Sequence, residues 1–359
     1  MTSRFHVRNV PTIHNAYWSD PGEARAVPVG DISLEVEPST GLVVNSLHDP
    51  QLCRYDSSYT HDQYTSAFLS EHMRHMVALV VGSVDCSHVH EIGAGNGVFA
   101  AALAERGVKV SASDPSVVSG HSRVVNKRFE DLPHDVYSAL VLRHVLEHIP
   151  SPFAYMMKLR TLQQDRGYFF LEFPSWDYIV ENDAWFDVTY EHVNYFSEYV
   201  SRSMFHGECT AGRVARGQYM YVTGKVSNCR SAEPDSPQMA LDTESINRLS
   251  RARSSSQSRL SSLKSEMGAV VVWGAAQKGS MIAHAMGEVD IPPDFIVDVD
   301  PRKHGKFLGG GYPISSPDVI PIDKTTAVII ANSNYVSEIR KITDDRCRYF
   351  VLERELTEV

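Results

Sequence analysis

The sequence predicts an α/β protein with two Rossmann-like parallel sheets and a small domain ahead of them. Three observations carry this expectation. Short apolar runs alternate with helical segments from about residue 75 to 230, and the alternation restarts near residue 268. Each series opens on an apolar strand that enters a glycine-containing turn and then a helix: "HVHEIGAGNGVFAAALAER" in the first and "AVVVWGAAQKGSMIAHAM" in the second. Residues before the first series show a different pattern, a pair of short alternating strands. Strand–helix alternation implies parallel strands whose crossover helices cover both faces of the sheet.

The elements follow in order. Residues 1–74 are expected to form an N-terminal domain. There "DISLEVEP" places Ile32, Leu34 and Val36 on one face of a half-buried strand, and "TGLVVN" is its partner after a turn. "YTHDQYTSAFLSEHMRHMVALVV" has apolar residues at helical spacing and leads into the next unit. In residues 75–232, "HVHEIGAG" is a strand entering a loop, "GVFAAALAER" a helix and "VKVSASDPS" a second strand. "YSALVLRHVLEHI" begins as a strand and turns helical, and "GYFFLEFPS" is a further strand. Residues 233–267 change character. "SAEPDSPQ" is turn-rich. The segment after it lacks glycine and sets Leu260, Leu263 and Met267 at i, i+3 and i+7, as in an amphipathic helix bridging two domains. Its Ser/Arg content also suits a nucleic-acid tail, but the spacing favours the helix. Residues 268–359 form the second, smaller α/β unit.

Bulk properties narrow the function. A chain of 359 residues exceeds one ordinary core and suggests two or three domains, and 43% hydrophobic residues suffice to build them. The net charge of −10, without a basic cluster, argues against nucleic acid as the main partner. The five cysteines are scattered and include no C-x-x-C pair, which fits neither a disulfide framework nor a zinc site. Reduced thiols in a cytoplasmic protein are the simple reading. Neither a signal-peptide stretch nor an apolar run of about 18 residues occurs, so no membrane partner is expected.

The first glycine loop selects a cofactor. A dinucleotide site has G-x-G-x-x-G, whereas Gly93, Ala94, Gly95, Asn96 and Gly97 read G-x-G-x-G. Glu91 stands two residues before the first glycine, where it would repel a pyrophosphate. S-adenosylmethionine has a sulfonium and an ammonium and no phosphate, and its amino-acid end suits such a loop with a carboxylate beside it. Asp114 ends the next strand, about twenty residues on, where a carboxylate accepts from both ribose hydroxyls. Together these features resemble the cofactor signature of class I methyltransferases. On that reading Phe129 and Glu130 are candidates to meet the adenine, an ordinary loop being the other possibility. The backbone around Arg143 and His144 lines the cofactor pocket. Glu147 and His148 read as structural.

"VLRHVLEHIPSP", "FDVTYEHVNYFS" and "VVVWGAAQKGS" followed by "VDVDPRKHGKFLGGGYPISSPD" occur in this order. Over roughly residues 40–350 the chain thereby resembles the sugar C-methyltransferases of deoxysugar biosynthesis. The resemblance implies a nucleotide-linked 4-keto sugar that loses the proton beside its ketone and is methylated on the resulting carbanion. It implies that His192 is the base, with Glu191 beside it. The family's tyrosine falls at Thr189 in a gapless match, with Tyr190 adjacent. Tyr190, Asn194 and Tyr195 are candidates to stabilise the oxyanion. Tyr64, Asn194, Tyr195, Gly274 and Lys278 are candidate substrate contacts, the last two through a phosphate at a helix N-terminus. A tight turn without a ligand is the other reading of that glycine. Asp298 and Asp300 read as a strand end. Family members carry a four-cysteine zinc site in the N-terminal domain. Here Cys53 is the only cysteine before Cys86, so a metal-free domain and no zinc are expected. An O- or N-methyltransferase of another biosynthetic small molecule is the alternative, and the oligomeric state is open.

Overall fold

The computed structural model describes residues 5–53, 66–117, 124–132, 137–230, 239–354 and 356–359. The chain begins with β1 (His6–Pro11), α1 (Pro21–Arg25), β2 (Val29–Val36) and β3 (Val43–Asn45). It continues through α2 (Ala67–Ser83), β4 (Val89–Ile92), α3 (Val98–Glu105), β5 (Val110–Ser113), β6 (Val124–Val125), β7 (Ala139–Arg143), α4 (Pro152–Leu162), β8 (Tyr168–Pro174), α5 (Trp176–Glu181), β9 (Asn194–Tyr195), α6 (Glu198–Ser203), β10 (Cys209–Val214) and β11 (Tyr219–Lys225). The long α7 (Met239–Glu266) leads to β12 (Ala269–Trp273), α8 (Gln277–Gly287), β13 (Phe295–Val297), β14 (Phe307–Leu308), β15 (Tyr312–Ser315), β16 (Thr326–Ile330), α9 (Val336–Ile342), β17 (Arg348–Val351) and β18 (Thr357–Glu358).

The middle sheet has the order β10-β11-β8-β7-β4-β5-β6. Strands β4 to β8 run parallel, and β11 pairs antiparallel with both β8 and β10. The C-terminal sheet has the order β14-β15-β13-β12-β16-β17-β18, parallel at its centre and closed at each edge by an antiparallel strand. Strands β4, β7, β12 and β16 are buried along their whole length. This explains why three of them read as near-continuous apolar runs, since helices cover both faces. The fourth, β4, buries His90 and Glu91 within its "VHEI".

The expected boundary at residue 74/75 falls inside α2. Ser66 caps this helix by accepting from the Leu69 N–H, and the helix then runs unbroken to Ser83. Its Met76, Val77 and Val80 pack with Val89, Phe99 and Leu103, so its buried face belongs to the middle sheet. The N-terminal sheet is likewise not self-contained. It has the order β1-β2-β3-β9, and β9 comes from the middle segment. The helix expected after β7 is a single 3₁₀ turn, Leu146–His148, and the regular helix starts at Pro152.

The bridging helix α7 buries Ile246, Leu249, Leu260 and Leu263. They join one apolar core with Ile32 and Leu34 of the N-terminal sheet, Trp176 and Trp185 of the middle segment, and Val270 and Ile282 of the C-terminal unit. The two tryptophans also anchor it through hydrogen bonds, Trp176 Nε1 to Asp242 Oδ1 and Trp185 Nε1 to Ser256 Oγ, each 3.0 Å. Among the described residues no helix is long and apolar enough to cross a membrane.

Candidate active site

A cavity of about 550 Å³ opens where the carboxyl ends of both parallel sheets converge. One wall holds Glu91, Gly93, Ala94, Gly95, Asn96 and Asp114. The facing wall holds Gly274, Gln277, Lys278, Asp298 and Lys303, with Tyr17 reaching in from the N-terminal segment. Open α/β sheets bind ligands at this place, outside the strand ends where the strand order reverses.

The glycine-loop wall is set by the turn after β4. Gly93 has φ +70°, and a Cβ there would lie 2.4 Å from Val145 Cγ2, so only glycine lets the loop pass this close to the neighbouring strand's loop. Asp114 holds the loop in place. Its Oδ2 accepts from Gly95 N at 2.8 Å, while Oδ1 accepts from Ser116 N at 2.8 Å. Carboxylate oxygens have lone pairs beyond these for further donors. Glu91 is buried, one of its oxygens has no hydrogen-bond partner, and burial pushes its pKa up to about 7 despite Arg143 nearby. Arg143 lies over the Phe99 ring at 4.1 Å and donates to Glu172 Oε2 at 2.5 Å. His72 approaches the other Glu172 oxygen at 2.6 Å. Burial alone would raise Glu172, but Arg143, with His72 and His144, holds it well below the usual carboxylate range. His144 stands at φ +54°, its N–H donating to the Glu172 carbonyl at 2.8 Å.

Three of the expected cofactor residues lie elsewhere. Phe129 is buried against Tyr155, with ring centroids 4.6 Å apart, and Glu130 is exposed; neither lines the cavity. Gly97 is the left-handed residue that starts α3, one step removed from the cavity wall.

On the facing side His192 is buried, and its ring lies edge-on to His148 with centroids 5.1 Å apart. Gln277 of α8 brings its amide nitrogen to 3.4 Å from each His192 ring nitrogen and donates to Thr189 Oγ1 at 3.0 Å. Burial, followed by repulsion from His148, His144 and His14, holds His192 well below its ordinary pKa, so the ring is neutral at pH 7. His148 Nδ1 is 2.9 Å from the Glu191 carbonyl oxygen, and the Glu191 carboxylate accepts from the His14 backbone N–H. Thus the second half of the site is assembled from the N-terminal segment, the middle segment and α8.

The expected oxyanion donors are turned away. Tyr190 packs over Gly30 and stacks on His48, and its hydroxyl accepts from Asp49 N at 2.9 Å, so it fastens the N-terminal sheet. Tyr195 donates to the Thr189 carbonyl at 3.0 Å. Asn194 donates to the carbonyls of Leu146 and Ile149, at 3.1 and 2.5 Å. None of the three lines the cavity. The chain turns at Tyr190 and Glu191, and at this turn Glu191 and His192 face the cavity while Tyr190 faces the N-terminal sheet. Tyr64 lies outside the described residues. Gly274 and Lys278 do line the cavity, with Lys278 paired to Asp187 at 2.9 Å. Asp298 repeats the arrangement of Asp114 in the second sheet: Oδ2 accepts from Ala275 N at 2.8 Å and from Lys303 Nζ at 2.7 Å. Glu147 and His148, expected to be structural, also line the cavity, as do Gln277, Tyr17 and Lys303, to which no sequence motif pointed.

The glycine loop, Asp114 and the unpartnered Glu91 oxygen fit S-adenosylmethionine: carboxylates suited to its ammonium, its sulfonium and its ribose hydroxyls, and backbone donors suited to its carboxylate. Comparison with known families agrees. Residues 82–206 match the model of a methyltransferase domain. The chain is an S-adenosylmethionine-dependent methyltransferase with the Rossmann-like fold of class I enzymes. Residues 220–348 match the model of a C-methyltransferase C-terminal domain, a stretch that runs from β11 through α7 and most of the second sheet. A comparison with curated proteins finds no significant match. Among solved structures, the chain is similar to a Burkholderia thailandensis 1,6-didemethyltoxoflavin-N1-methyltransferase with bound S-adenosylhomocysteine, at 14% identity over 54% of this chain and 98% of that one, TM-score 0.33. It is also similar to an S-adenosylmethionine-dependent methyltransferase from Archaeoglobus fulgidus, at 14% identity over 43% and 93%, TM-score 0.34. The CcbJ methyltransferase from Streptomyces caelestis gives 14% identity over 46% and 95%, TM-score 0.32. None of these likenesses bears on the acceptor.

Proposed function

We propose that the protein methylates a carbon beside the ketone of a nucleotide-linked keto-deoxysugar. The observation that carries this reading is the neutral, buried His192 lining the same cavity as the cofactor loop. Methyl transfer from a sulfonium is an in-line displacement that needs alignment and exclusion of water. A carbon acceptor needs, in addition, a base for its proton, and a neutral imidazole is in the form that accepts one. S-adenosylmethionine supplies the electrophilic methyl group. Glu91, Gly93, Ala94, Gly95, Asn96 and Asp114 hold it, with Arg143 and His144 closing that wall. His192 takes the proton, and Gln277 and His148 set its ring. The facing wall, with Gly274, Lys278 and Lys303, offers the nucleotide end a place, and the match to a C-methyltransferase C-terminal domain supports that assignment.

A second reading, O- or N-methylation of another small molecule, is favoured by one observation: Tyr190, Asn194 and Tyr195 all turn from the cavity, leaving an enolate oxygen without the donors expected for it. Calorimetric titration with S-adenosylhomocysteine and a panel of nucleotide sugars identifies the acceptor class. Solvent deuterium entering the unmethylated acceptor then separates the readings, because only carbon methylation deprotonates carbon. His192→Ala should abolish turnover and deuterium uptake with cofactor affinity nearly unchanged. Rates like those of the wild type would remove His192 as the base. Asp114→Ala should weaken cofactor binding, and an unchanged dissociation constant would count against its ribose role.

A further inference from the structure

We propose that Glu147, His148 and His192 form a binding site for one divalent transition-metal ion on the acceptor side of the cavity. Each offers one donor atom, and the three atoms lie within 4.8 Å of one another. All three residues line the cavity, so a cation held by them would face the acceptor.

The surroundings of two of the residues support this use independently. Glu147 is 1% exposed, and its Oε2 has no hydrogen-bond partner. A carboxylate oxygen buried without a donor is costly, and a cation offsets that cost. The other oxygen, Oε1, is 3.3 Å from His144 Nδ1, which steadies the carboxylate from behind. His148 Nδ1 lies 2.9 Å from the Glu191 carbonyl oxygen. A carbonyl only accepts, so Nδ1 carries the proton and Nε2 carries the lone pair. Ligating histidines are commonly oriented this way, one ring nitrogen donating to a carbonyl and the other binding the metal. His192 completes the set from a segment 44 residues farther along the chain.

The donor set indicates the class of ion. Two imidazoles and one carboxylate suit zinc, iron or manganese rather than calcium or magnesium, which prefer oxygen. Three protein ligands leave a coordination position for an acceptor oxygen. The inference goes beyond the base assignment and competes with it in time: a ring nitrogen on a cation accepts no proton. Zinc should therefore suppress proton abstraction by His192, and a chelator should restore it.

The test is a calorimetric titration of zinc chloride into the chelator-treated, full-length protein, with no sugar present. One zinc per chain is expected. Glu147→Gln and His148→Asn should each weaken it at least about tenfold. Both should keep S-adenosylhomocysteine binding, which reports that they fold, and Cys53→Ser should leave the zinc affinity unchanged. No saturable binding, or equal affinity in wild type and both variants, overturns the site. Deuterium exchange into a responding nucleotide sugar is then measured with and without zinc. Exchange that continues in the zinc-saturated protein removes His192 from the ligand set. Absence of exchange in the chelated protein defeats the carbon-acid reading alone and leaves the zinc result standing.

Discussion

Glu91 links the stability of the folded protein to pH and, on the proposed reading, to cofactor binding. Its carboxyl ionises near 7 in the folded protein because it is buried, whereas an ordinary glutamate ionises near 4.5. Between those values the native state binds a proton that the unfolded chain does not. Stability of the cofactor-free protein therefore falls as pH rises from about 4.5 to 7, by up to about 3 kcal/mol. Above pH 7 the ionised form is ready to attract a cationic ligand. Cofactor affinity should accordingly rise between pH 6 and 8, and Glu91→Gln should flatten that rise while raising the melting temperature of the free protein at pH 8. Calorimetry and thermal melts check both, and a variant that keeps the wild-type pH profile would show that another group titrates. At this scale Glu91 and Asp114 were legible because strand ends and glycine spacing place them. Tyr190 was not. It is adjacent to Glu191, which does line the cavity, and which side of this turn faces inward depends on Gly30 and His48, far away in sequence. The packing of Phe129 was no more legible, since Tyr155 sets it.

Each strand–loop–helix unit rests on close backbone contact at its turn. In the second unit a Cβ on Gly279 would lie 1.8 Å from the Gly274 carbonyl oxygen, so the first turn of α8 sits against the loop only because residue 279 lacks a side chain. Gly279→Ala should cost about 1–3 kcal/mol and loosen the Gly274–Lys278 wall. Urea denaturation would read the first effect, and weaker binding of a responding nucleotide sugar the second. A loss below a few tenths of a kcal/mol would mean that the turn relaxes freely. Elements of this kind were readable because a covered parallel strand is apolar throughout and its helix has a 3.6-residue period. The two-residue β9 has no period to read, and the antiparallel β11 is recognised as such only by its register against β8.

At the scale of the whole molecule α7 ties the three sheets together. Leu249 is fully buried in the core they share. Leu249→Ala should cost about 2–5 kcal/mol, and because the core is common the middle and C-terminal units should lose stability together. Tryptophan fluorescence and circular dichroism in urea check this. A separate, unshifted transition from either unit would show that the units fold independently. The cavity has the same dependence, since its walls come from segments as far apart as Tyr17, His192 and Lys303.

The sequence by itself determined the α/β class, the bridging helix, and the glycine loop with its two flanking carboxylates. These are encoded locally, in periodicity and in spacings that one strand and one turn convert directly into positions. Tertiary structure alone decided which neighbours of His192 face the cavity, that β9 completes the N-terminal sheet, and that Glu147 and His148 meet His192. Those outcomes depend on packing between segments distant in the chain, where side chains compete for the same interior space and no short-range pattern records which one prevails.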